Sequence, residues 1–175
     1  MLIFVVTTAL LGGCSGAGGS SPTESPTVAN VAGRWTGTSL GTVTHGPSCI
    51  GTGQPTPSEA TISQNGPAIN LSITLNRTVT CEFLGTVGES TISWAPNPVQ
   101  ANASCLGSRG VPCLTGGRIR FIDIKNRTGA PLAGTVVGDR ISVAGIGISD
   151  VTDSATGQLI DTLETNIRVE LTRVR

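Results

Sequence analysis

Tyrosine is absent from this chain of 175 residues, which holds only three phenylalanines, two tryptophans, one histidine and one methionine. So few rings leave no platform on which bases or sugars could stack, and the core must be built from Val, Ile, Leu and Ala. Charge is also scarce. Lys plus Arg and Asp plus Glu number 11 each, so the net charge is zero and only 13% of residues are charged. No basic run supplies the footprint that a phosphate backbone needs, so nucleic acid is not an expected partner. No apolar run reaches the roughly 20 residues of a membrane-spanning helix. Helical periodicity is missing as well; the best stretch, Leu159 to Glu164, amounts to about one and a half turns. The length accommodates one ordinary domain and not two.

What the chain does have begins at its N-terminus. Leu2 to Leu11 is a mostly apolar run of signal-peptide length, and it ends in Leu11-Gly12-Gly13-Cys14. That tetrapeptide resembles the lipobox of bacterial lipoproteins: an aliphatic residue, two small residues, then the cysteine. The resemblance implies a signal peptide over 1–13, cleavage before Cys14, and attachment of diacylglycerol to its sulfur, with acylation (palmitate or a similar chain) of the freed amine. The pattern normally carries Lys or Arg ahead of the run; their absence here is a departure from it that reads as a mis-called start codon or a truncated N-terminus. Residues 14–30, rich in Gly, Ser, Thr and Pro, read as the lipidated cysteine and a flexible tether. Ser15 in place of Asp resembles the sorting signal for the outer membrane in cells with two membranes. Membrane attachment through the lipid is the first expected partnership.

From Val31 to the end the dominant period is two. Ile69, Leu71, Ile73 and Leu75 alternate with Asn70, Ser72 and Thr74, as half-buried strands do. Val79, Cys81 and Phe83 repeat the pattern, and Val99, Ala101, Ala103 and Cys105 repeat it more weakly. Turn signals sit between such runs: Asn65-Gly66, Val87-Gly88-Glu89, Gly138-Asp139 and the stretch from Asp153 to Gly157. About ten strands are expected, over 31–38, 41–45, 58–64, 68–75, 77–84, 90–94, 98–105, 117–125, 132–148 broken at Gly138, and 158–174. The pattern shifts phase at Phe121-Ile122 and Ala144-Gly145, where bulges are expected. Residues 31–175 thus form a single all-β domain, an antiparallel meander that closes as a barrel or, alternatively, packs as a two-sheet sandwich.

Val31-Ala32-Gly33-Arg34-Trp35 at the start of the domain is similar to the Gly-x-Trp opening strand of lipocalins and related small barrels. The resemblance implies a lipocalin-like barrel in which the tryptophan plugs one end and a late arginine, Arg168 or Arg173, packs over it.

Setting Cys14 aside leaves Cys49, Cys81, Cys105 and Cys113, an even number in an exported chain, which reads as two disulfides. Three pairings are open. Cys105 and Cys113 bracket the turn-rich segment 106–112 and are expected to close it, leaving Cys49, in a Gly and Pro rich loop, to Cys81. The shared Gly-x-x-Cys-aliphatic pattern of 46–53 and 110–117 reads as two loops, each stapled to a strand. A zinc site is disfavoured because no C-x-x-C knuckle is present.

Candidate chemistry is sparse. Gly37-Thr38-Ser39-Leu40-Gly41 has the G-x-S-x-G form of a nucleophile elbow with His45 close behind, but the strand-to-helix context that makes the motif work is missing. Asp150, Asp153 and Gly157 lack the alternating oxygens and terminal Glu of a calcium loop. The sequons at Asn70, Asn76, Asn102 and Asn126 follow from the abundance of Ser and Thr. No catalytic residue, metal site or cofactor is expected. The expectation is a non-catalytic, lipid-anchored envelope protein that binds a small apolar ligand in its barrel, with a lumen lined by residues such as Ile69, Leu71, Val79, Phe83 and Ile141, or serves as a structural module; the alternative is a β-sandwich interaction or adhesion domain with a protein or glycan partner.

Overall fold

The structure, a computed structural model, describes residues 27–51, 53–97, 107–127 and 131–175. Among these the chain is all β, with ten strands: β1 (Gly33–His45), β2 (Thr56–Asn65), β3 (Ala68–Leu75), β4 (Val79–Val87), β5 (Thr91–Pro96), β6 (Gly107–Thr115), β7 (Arg118–Asn126), β8 (Leu132–Val137), β9 (Arg140–Asp153) and β10 (Leu159–Arg173). The strand order β10-β1-β2-β3-β4-β5-β8-β9, with β9 pairing back onto β10, closes an eight-stranded antiparallel barrel. Closure excludes the two-sheet sandwich.

The period-two pattern explains the strands. Along β3, Ile69, Leu71 and Ile73 are buried while Ala68 and Asn70 face out, which is the alternation of a sheet with one dry face. Tight turns set the register: Gly66 after Asn65 and Gly138 ahead of Asp139 have φ of 57° and 56°, a left-handed conformation that short hairpin turns require and glycine adopts without strain. Elsewhere glycines let the wall fold closely upon itself. A Cβ on Gly37 or Gly134 would lie 1.8 Å from the Glu170 or Ser142 carbonyl oxygen of the neighbouring strand.

Several expected boundaries shift. The runs 31–38 and 41–45 are one strand, β1, because the ladder to β10 continues through Gly41. The segment 110–117 is not a loop but most of β6 and its turn into β7. Leu159 to Glu164 is strand throughout. The expected strand 98–105 lies outside the described residues. Ala144-Gly145 is no bulge, since β9 pairs with β10 without interruption there; the phase change in the sequence arises because Gly145 and Gly147 occupy inward positions while Ile146 faces out, 52% exposed. At Phe121-Ile122 the hairpin has apolar residues on both faces, and the irregularity falls on the partner strand between Ser108 and Val111.

The fourteen-residue β9 organises the molecule. Along one edge its first five residues, Arg140–Ala144, pair with β8, while its last five, Ser149–Asp153, pair with β7. The β6–β7 hairpin therefore rises from the wall at one end of the barrel. The other end is packed solid: Trp35, Leu71, Ile92, Ile141, Val143 and Leu171 form its floor. The chain ahead of β1 crosses that floor from beneath. Val31 is fully buried, Ala29 N donates to the Gly88 carbonyl at 2.9 Å, and the Gln64 amide bonds the Val31 N–H and the Ala29 carbonyl. Burying each such large apolar side chain contributes about 1.5–3 kcal/mol, so the floor is the stable part of the domain.

Candidate ligand-binding cavity

Above the floor the barrel is hollow. A cavity of about 440 Å³ occupies its upper half, within the range of sites that enclose small molecules. Its walls are mostly apolar, with Ile73 from β3, Val79 and Phe83 from β4, Trp94 from β5, Leu132 from β8 and Ile167 from β10. Small residues create the room. Gly147 lies in the wall where a Cβ would come within 2.8 Å of Ile167 Cδ1. Of the residues expected to face a lumen, Val79 and Phe83 do so, whereas Ile69, Leu71 and Ile141 are sealed in the floor.

Polar groups gather toward the hairpin end. The Ser39 and Ser58 hydroxyls are 2.8 Å apart, and Ser58 donates to the Thr56 carbonyl at 3.2 Å. The single proton of Ser58 is thereby committed, so Ser39 donates to Ser58. Ser149 Oγ donates to Asn126 Oδ1 at 2.8 Å, and Arg127 pairs with Asp150. That contact holds the Asp150 carboxyl below its ordinary value, through its hydrogen bond first and the charge of the guanidinium second.

The cysteines correct the expected pairing. Cys49 is bonded to Cys113, 64 residues away, not to Cys81. The hairpin folds its inner face, with Cys113 and Ile122, onto Val151, Leu163, Val43 and Ile50, and this brings Cys113 over the loop that carries Cys49. The two Gly-x-x-Cys segments are stapled to each other. Cys81, buried in the cavity wall, is also disulfide-bonded; Cys14 and Cys105 lie outside the described residues.

The catalytic-looking motif dissolves. Gly37 to Gly41 lies within strand β1, Ser39 is engaged by Ser58, and His45 stands 3.4 Å from Asp161 with most of its side chain in solvent. Asp153 accepts from the backbone of Ala155 and Thr156, capping the turn into β10, while Asp150 is taken by Arg127. Among the described residues no three His, Cys, Asp or Glu side chains converge, and no helix is long and apolar enough to cross a membrane. Of the sequons, Asn102 lies outside the described residues. No protein-family model, curated protein or solved structure matches the chain.

Proposed function

We propose that this is a non-catalytic, lipid-anchored protein of the cell envelope whose barrel binds a small apolar molecule. The observation that carries the reading is the cavity: a closed barrel that leaves about 440 Å³ open instead of filling it with its own side chains gives up core packing, and an apolar ligand restores that contact. The anchor is proposed from the lipobox-like Leu11-Gly12-Gly13-Cys14, and residence in the outer membrane, for a host with two membranes, from Ser15. Native mass spectrometry of the protein purified from its own host tests the binding: a bound small molecule is expected, and a bare protein that also fails to take up N-phenyl-1-naphthylamine ends the proposal. Mass spectrometry of the N-terminal tryptic peptide tests the anchor, with Cys14 expected at the mature terminus carrying two or three acyl chains.

A second reading, an interaction module, is favoured by one observation. The outer face of the β6–β7 hairpin exposes Leu114, Ile119 and Phe121, each more than half accessible, which is more apolar surface than a two-stranded ribbon in water normally shows.

A further inference from the structure

The two tryptophans are treated differently. Trp35 is buried in the floor and its indole Nε1 donates to the Val31 carbonyl at 2.9 Å. Trp94, 1% exposed, stands where the floor meets the cavity and belongs to both. Its Nε1 is the one buried side-chain nitrogen or oxygen among the described residues with no hydrogen-bond partner. Buried indole N–H groups usually find an acceptor, because an unmade bond in a low-dielectric interior leaves the desolvation of the donor uncompensated. Leu132 and Phe83, which pack around this part of the wall, are only partly buried and offer no acceptor.

The charge of the cavity narrows the partner further. Arg127 is the only ionisable side chain among the described residues of its wall apart from the bonded Cys81, and it is engaged by Asp150. A ligand carboxylate would find no unpaired cation there, and burying it uncompensated is costly. Building on the apolar-ligand reading, we infer that the cavity takes a neutral molecule with an apolar body and a hydrogen-bond acceptor, such as a ketone or ester carbonyl, and that the Trp94 indole N–H binds this acceptor at the deep end. The apolar remainder then runs toward the mouth between Ile73, Val79 and Ile167.

A matched set of probes tests this: 2-nonanone, nonane and nonanoate, each displacing N-phenyl-1-naphthylamine from the full-length protein and from Trp94→Phe. The substitution is expected to weaken 2-nonanone about tenfold, the worth of one buried hydrogen bond, while nonane changes by less than about twofold and nonanoate at pH 8 binds worse than the ketone. Parallel changes for ketone and alkane overturn the inference, as does tighter binding of nonanoate than of 2-nonanone. If Trp94→Phe does not fold, the wild-type protein decides: of its two indole N–H signals in a proton–nitrogen correlation spectrum, 2-nonanone moves the Trp94 signal downfield and nonane does not. An unmoved Trp94 signal on a bound ketone refutes the inference alone, whereas failure of every probe to bind refutes the apolar-ligand reading beneath it.

Discussion

The guanidinium of Arg173 lies over the indole of Trp35, its Cζ 4.6 Å from the ring centroid, so the last strand is clasped to the first beneath the closed end of the barrel. The same side chain donates to the Ala32 carbonyl at 2.8 Å and to the Asn30 carbonyl, and its Nε is 3.5 Å from Asp139. Cation–π contact contributes about 0.5–1 kcal/mol, and hydrogen bonds from a charged donor about 1.5–3 each. Much of this overlaps, and Arg173→Ala is expected to cost about 2–4 kcal/mol in urea unfolding. Arg168, the other arginine weighed for this role, pairs only with Glu170 on the surface, so Arg168→Ala should cost under about 1 kcal/mol. Equal costs for the two substitutions would show that the clasp has no special weight.

The Cys49–Cys113 bond ties a loop after β1 to the hairpin across 64 residues of chain. Closing a loop of that length restricts the unfolded state by about 4 kcal/mol, and replacing both cysteines by alanine is expected to lower stability by up to that amount. Non-reducing peptide mapping should recover the Cys49–Cys113 peptide pair and join Cys81 to the remaining domain cysteine, Cys105. Recovery of a Cys49–Cys81 peptide would refute this connectivity.

The sequence revealed what depends on local alternation and missed what depends on the far half of β9. Ile69, Leu71 and Ile73 announce a strand by period alone, and Gly66 and Gly138 announce the β2–β3 and β8–β9 turns, because those signals act between near neighbours. Of the two late arginines weighed against Trp35, Arg173 on the final strand is the one that lies over its ring, a choice that the strand pattern alone leaves open. By contrast, β6 reads as a turn-rich loop, since Gly107, Gly110 and Pro112 weaken every strand signal in it; it is a strand because β7 pairs with Ser149–Asp153 and carries β6 along. The same long-range placement decides that Cys113 meets Cys49. A preference for local closure pairs Cys113 with Cys105 instead, and nothing in the spacing reveals the error. The cavity was legible only in part, through Val79 and Phe83, because the glycine in its wall, Gly147, carries no periodic signal.

Acid should loosen both the hairpin, through Asp123, and the β8–β9 turn, through Asp139. Asp123 accepts hydrogen bonds from Ser154 Oγ at 2.6 Å and Gly110 N at 2.8 Å, and these, the first more than the second, lower its affinity for a proton. The hydrogen bond from Arg175 lowers that of Asp139 in the same sense. A carboxyl whose native value lies below its unfolded value near 4 stabilises the fold fully above about pH 5, and that contribution disappears as pH falls below about 4 toward the native value. Unfolding free energies measured between pH 3 and pH 7 are therefore expected to be flat above pH 5 and to decline below it. Asp123→Asn, which cannot titrate, should make the acid limb less steep, the rest of it being carried by Asp139, Asp150, Asp153 and Glu170. An acid limb of unchanged slope in that variant would remove Asp123 from the account.

The two halves of the barrel should respond oppositely to changes in side-chain size. Leu71 is fully buried in the floor, where truncation leaves an unfilled hole and costs about 2–5 kcal/mol; Leu71→Ala is expected to destabilise the domain by that amount while binding N-phenyl-1-naphthylamine nearly as well as the wild type. Val79, at the start of β4, is half-buried and borders the open cavity, so a larger side chain there enters empty space and does not overpack a filled core. Val79→Trp is expected to keep the unfolding midpoint close to that of the wild type and to weaken the probe by at least about tenfold, because its ring occupies volume the probe needs. Thermal unfolding and probe titration on the same two variants check both halves of the expectation. A Val79→Trp protein that binds as tightly as the wild type would show that the probe does not sit in this cavity, and one destabilised like Leu71→Ala would show that the upper half is as tightly packed as the floor.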